Sequence, residues 1–93
     1  FNQDFDTLSF NSEEKFKEKK ICSFFNSLKS ENYGKILRAK GIFKINGNSI
    51  NIDFASEVIN KKKISQHETS KIIVIGENLN RDKIISDIKE CIS

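Results

Sequence analysis

Hydrophobic periodicity changes abruptly at Gly34, and that change constrains the fold more than any other feature of the chain. Before it, Ile21, Phe24, Phe25 and Leu28 recur at i, i+3, i+4 and i+7, the apolar stripe of an amphipathic helix that also takes in Phe16. Lys15, Lys17, Lys19, Lys20 and Lys29 occupy the other side of that helix. From Lys35 the period is two. Leu37, Ala39, Gly41, Phe43 and Ile45 are apolar, and they alternate with Ile36, Arg38, Lys40, Ile42 and Lys44, the pattern of a strand with one buried face. Gly34 is placed to end the helix, because glycine tolerates the positive φ that closes many helices. Each element leaves an apolar face to be covered, so a helix packed on a sheet is expected.

The remaining segments extend this plan. Residues 6–10 alternate loosely and predict a strand. Asn11 stands three positions before Glu14, the spacing of a capping box, which predicts that the first helix starts there. Asn46-Gly47-Asn48-Ser49 reads as a turn, with Ile50, Ile52 and Phe54 resuming the alternation. A Gly47-Asn48 loop sets Phe43 opposite Ile52, whereas an Asn46-Gly47 loop slides the register by two; both keep the same faces together. Residues 57–70 are polar, contain Lys61-Lys62-Lys63 and lack periodicity, so they predict a mobile loop. Residues 71–76 form a β-branched run suited to an interior strand. Asn80 is an N-cap, with Leu79 and Ile84 spaced as a hydrophobic staple, for a helix burying Ile84, Ile85, Ile88, Cys91 and Ile92. The order β-α-β-β-β-α predicts an α+β two-layer sandwich, a mainly antiparallel sheet with two helices on one face. Its first three elements form a right-handed crossover.

A chain of 93 residues supports one modest core, so residues 1–93 are expected to be a single domain. The chain starts at Phe1 and has no methionine, which suggests a piece of a longer protein or a processed chain. Ile 15, Lys 14, Asn 10 and Phe 8 make up about half of it, against two arginines. AT-rich coding explains that usage, and lysines interspersed with 13 acidic residues explain the net charge of +3 as a solvated surface; nucleic acid is not the expected partner. No apolar run nears the roughly 18 residues of a membrane span. Cys22 and Cys91 are far apart and have no ligand partner at metal spacing, so a reduced, cytoplasmic protein is expected.

Catalytic chemistry is not visible in the sequence. No G-x-x-x-x-G-K-[ST] phosphate loop occurs. His67 lies in a polar stretch without a nucleophile beside it and reads as a solvated histidine, while both cysteines read as small buried hydrophobes. The expected set is therefore no catalytic residue, no metal ligand and no cofactor in this chain. Arg38, Lys40 and Lys44 stand out because the strand period places them on one face, together with Ile36 and Ile42. A sheet with helices on one side leaves the other open, and this aliphatic and basic patch suits a protein partner that carries acid groups. Arg38 is singled out because a guanidinium can pair with a carboxylate through two parallel hydrogen bonds. The alternative is a small basic RNA-binding domain, although that mode places aromatic rings on the open face, where Phe43 and Phe54 are not expected.

The segment Leu37-Arg38-Ala39-Lys40-Gly41 resembles the leucine-arginine-alanine-lysine-glycine segment of the CobW C-terminal domain. Ile72-Ile73-Val74-Ile75-Gly76 is similar to the aliphatic strand of that family, and Leu79-Asn80 onward to its closing helix. Glu68 and Thr69 stand where the family often has arginines, and Asn80 where an aspartate is common. The resemblance implies a P-loop GTPase parent involved in metal (cobalt or zinc) delivery or cobalamin synthesis. GTP, Mg and the Zn or Co site would belong to an N-terminal GTPase domain, and this domain would be an accessory module packed against it. A client protein that receives the metal would be a further partner.

Overall fold

The computed structural model describes residues 5–93, and residues 1–4 lie outside it. The elements are β1 (Asp6–Ser12), α1 (Glu18–Ser27), β2 (Lys35–Lys44), β3 (Ser49–Ala55), β4 (Val58–Ile64), β5 (Ser70–Glu77) and α2 (Arg81–Lys89). Five strands form one sheet in the order β1-β5-β2-β3-β4, with every neighbouring pair antiparallel. The chain is thus α+β with its two helices on one side of an antiparallel sheet. Since β5 is antiparallel to both β1 and β2, those two strands run parallel, as a β-α-β crossover requires, with β5 inserted between them.

The core lies between the helices and one sheet face. Ile21, Phe24, Phe25 and Leu28 of the α1 segment are buried, as are Ile84, Ile88 and Cys91 of the α2 segment. They meet Ala39 and Phe43 of β2, Ile50, Ile52 and Phe54 of β3, and Ile72 and Val74 of β5. Phe43 stands edge-on to Phe16, with ring centroids 5.1 Å apart, and to Phe25 at 5.9 Å. Such edge-to-face pairs add to the burial energy of each ring.

Three details differ from the sequence-based expectation. The stretch 57–70 is not one loop, because it contains β4. Ser56 and Glu57 both have positive φ, 51° and 62°, the backbone of a tight two-residue hairpin, and they set Ala55 opposite Val58. Neither residue type advertises that conformation. Second, no capping box forms at Asn11, because β1 runs on through Ser12 and pairs Asn11 with Lys71. Helix α1 begins at Glu18, and Phe16 enters the core as a separate bridge to Ile92. Third, α1 ends before Gly34, with Leu28 as its C-cap. Gly34, at φ +100°, instead lets the chain pass close against the Asn78 backbone. Of the two hairpin loops that the sequence leaves open, the Asn46-Gly47 loop is the one that forms: Phe43 faces Ile50, Gly41 faces Ile52, and the Ile45 N–H donates to the Asn48 carbonyl at 2.8 Å.

The connection from α1 to β2 is fastened to α2 by Tyr33. Its hydroxyl donates to Asp87 Oδ2 at 2.6 Å, and Lys83 Nζ lies 3.2 Å from the same oxygen and 5.3 Å from the Tyr33 ring centre. The hydrogen bond from Tyr33 holds the Asp87 carboxyl below its ordinary range. Burial, followed by that same bond, raises the Tyr33 hydroxyl above its usual value. The Asp87 contribution to stability is therefore present above the unfolded carboxyl pKa of about 4 and is lost as pH falls through the folded value. The Tyr33 contribution is present below about pH 10 and is lost as pH rises through its folded value. Tyr33→Phe is expected to lower neutral-pH stability by about 1 kcal/mol. Urea unfolding across pH should show that difference shrinking in acid, where Asp87 is protonated, and again in strong alkali.

A candidate protein-interaction face

The sheet face opposite the helices is the open one, and register places its side chains in rows. In one row Arg38 has Ile75 and Ala55 as neighbours, and these in turn face Thr7 and Val58. In the next, Lys40 lies between Ile73 and Asp53, flanked by Ser9 and Asn60. In the third, Ile42 lies between Lys71 and Asn51, flanked by Asn11 and Lys62. Arg38, Lys40, Lys62 and Lys71 thus share these rows with one carboxylate, Asp53. The mixture is aliphatic and basic, as the strand period predicts.

Not every residue expected here arrives here. The register between β2 and β5 shifts between Ile36 and Arg38, a β-bulge that leaves Leu37 without its own partner. A bulge reverses the alternation for the residues before it. Ile36 therefore pairs with Gly76 and packs against the core, away from the patch. Lys44 keeps the predicted face, at its end, where its Nζ donates to the Glu13 carbonyl at 2.8 Å. Arg38, Lys40 and Ile42 lie together as expected. Ile73, 47% exposed, and Lys71 belong to the same patch but were not singled out from sequence. Their period-two signal is hidden in the run Ile72-Ile73-Val74-Ile75.

The notch at the centre of this face has a simple construction. Two cross-strand pairs, Lys40 with Ile73 and Ile42 with Lys71, stand on either side of the backbone pair Gly41 and Ile72. The four outward side chains enclose a depression of about 100 Å³. The lysines occupy one diagonal and the isoleucines the other. Beside it, Oδ1 of Asp53 and Oδ1 of Asn51 are shielded from solvent without a hydrogen-bond partner among the described residues. Phe43 and Phe54 are buried on the helix side, so neither presents a ring to this face for stacking on a base.

The other residues considered for chemistry have structural surroundings. The Cys91 thiol donates to the Asp87 carbonyl at 3.3 Å, and burial pushes its pKa up to about 11, which keeps it a thiol at neutral pH. Cys22 is half-buried on α1, and His67 is exposed between β4 and β5, where its backbone N–H donates to Ser49 Oγ at 2.9 Å. Among the described residues, no three His, Cys, Asp or Glu side chains gather as a metal site, and no helix is long and apolar enough to cross a membrane.

Comparison with known proteins adds a family and a fold. A family model described as "Cobalamin synthesis protein cobW C-terminal domain" matches residues 5–92. Among solved structures, the chain is similar to Zn(II)-bound YjiA GTPase from E. coli, with 14% sequence identity and a TM-score of 0.80 over 95% of this chain. A Zn(II)-bound triple mutant of YjiA matches with the same identity, coverage and TM-score. The chain spans only 30% of the length of each of these proteins. No curated protein sequence matches it.

Proposed function

We propose, from the premise that the chain belongs to the cobalamin synthesis protein cobW C-terminal domain family, that it serves as a non-catalytic accessory module of a larger CobW-like GTPase. The observation that carries this reading is the reach of the family match, residues 5–92, which takes in the whole sheet and both helices. GTP hydrolysis, with its Mg²⁺, would then belong to a GTPase domain elsewhere in the parent. That parent would deliver cobalt or zinc, or serve cobalamin synthesis. The module would pack on the GTPase domain and contribute to recognition of the protein that receives the metal. The surroundings of Cys91 fit this role, since burial and the bond to Asp87 keep the thiol in use as a packing group.

Calorimetric titration of the isolated chain tests the reading. GTP, Zn²⁺ and Co²⁺ are each expected to give no saturable binding at micromolar concentration. A GTP dissociation constant near 1 μM, about 8 kcal/mol of binding free energy, would assign nucleotide chemistry to this chain and overturn the proposal.

A further inference from the structure

We infer that the four-cornered notch on the open sheet face receives one branched aliphatic side chain of a partner protein, with carboxylates flanking it that pair with Lys40 and Lys71. Size is the first argument. The depression of about 100 Å³ fits a single leucine or isoleucine side chain, and its backbone floor at Gly41 and Ile72 lets that side chain descend between Ile42 and Ile73. An anchor buried at the centre of a small patch is where binding energy concentrates.

Charge is the second argument. Lys40 and Lys71 are exposed at opposite corners, and neither is held in a salt bridge among the described residues. Arg38 and Lys62 extend the positive field, and Asp53 beside Lys40 is the only carboxylate in the three rows. That balance selects an acidic partner. It disfavours a second copy of this chain, because a twofold contact through this face would bring lysine against lysine. Phe43 and Phe54 are buried on the other side, so neither offers RNA bases a stacking platform at the notch.

The inference deepens the accessory-module reading and rests on it only in taking the partner to be a protein. Two short peptides test it, each with a central leucine, flanked in one by glutamates and in the other by lysines. They are titrated into the ¹⁵N-labelled chain up to about 1 mM, the range of weak single-anchor contacts. The acidic peptide is expected to shift the amides of β2 and β5 around Gly41 and Ile72, with affinity falling about tenfold at high salt. The double variant Lys40→Glu with Lys71→Glu is expected to reverse the preference toward the lysine peptide, and Ile73→Ser to weaken both. Those substitutions are on exposed residues, and an unchanged amide spectrum elsewhere verifies the fold.

Equal binding of the two peptides, or shifts confined to α1 and α2, would overturn the inference. So would single-stranded RNA or phosphatidylserine vesicles that shift the same amides at lower concentration, or self-association through this face. The outcomes separate the two proposals. GTP binding with the peptide preference intact removes the accessory-module reading alone, and loss of the peptide preference without GTP binding removes this inference alone.

Discussion

Phe43→Ala is expected to lower the stability of the chain by about 3–5 kcal/mol. A domain of this size has only about 5–14 kcal/mol in total, so the variant should unfold at a much lower urea concentration. Phe43 is 1% exposed and its ring stands between Phe16 of the β1–α1 connection and Phe25 of α1. Removing it therefore opens a cavity where three chain segments meet, and none can close the gap without leaving other partners. Gly41 adds to the effect. The Phe43 ring lies so near Gly41 that a Cβ there would overlap it, which means the ring covers the strand backbone as well as the helix. Phe43→Leu keeps the volume closer and should cost clearly less than alanine. A loss below about 1 kcal/mol for Phe43→Ala would mean that the surrounding core refills the space, contrary to the packing described.

The same residues explain how much of the molecule is legible in its sequence. The α1 stripe, the buried face of β2 from Ala39 to Phe43, and the Asn80 cap of α2 are all local patterns. Each is set by spacing within one element, and each is found where spacing predicts; the Asn80 side chain accepts from the Lys83 N–H at 3.3 Å. β4 is different. Lys61 and Lys63 face the helix side and Lys62 the other, so no hydrophobic alternation marks it. At the sheet edge it is held by backbone pairing to β3 and by the contact of Lys61 Nζ with Glu18 at 2.7 Å. Only the tertiary fold supplies those partners. The Asn11 signal failed for a related reason, since the β5 backbone offered Asn11 a strand partner that outcompeted a helix start.

The candidate face was legible in kind but not in membership. Strand period is sufficient to gather Arg38, Lys40 and Ile42, because they lie on one side of a regular stretch. It cannot find the bulge at Leu37, which depends on how β5 approaches β2. Ile36 was therefore assigned outward when it faces inward. Nor can it choose the outward members of an all-aliphatic run, and so the contribution of Ile73 emerges only from pairing with Lys40.

That close approach of β2 and β5 also sets the second large effect. Gly76→Ala is expected to cost about 2–4 kcal/mol, although alanine is an ordinary strand residue. Gly76 pairs with Ile36 immediately before the bulge. A Cβ at Gly76 would overlap the Lys35 carbonyl oxygen and stand 2.9 Å from Leu79 Cδ2 and 3.2 Å from the Ile36 Cα. The Leu79 side chain can rotate away, whereas the β2 backbone can move only by giving up its ladder to β5. The loss should therefore be accompanied by faster amide hydrogen exchange at Lys35, Ile36 and Glu77. Gly47→Ala is the matched comparison. Gly47 has φ +82° and open space around its Cβ position, so alanine there meets only the backbone penalty of about 1–2 kcal/mol. If the two substitutions cost the same and exchange at the Lys35 end of β2 is unchanged, the strands do not approach as closely as described. The bulge at Leu37 would then lose its physical cause, since it is the absent side chain at Gly76 that lets β2 lie against β5 there and turn Ile36 inward.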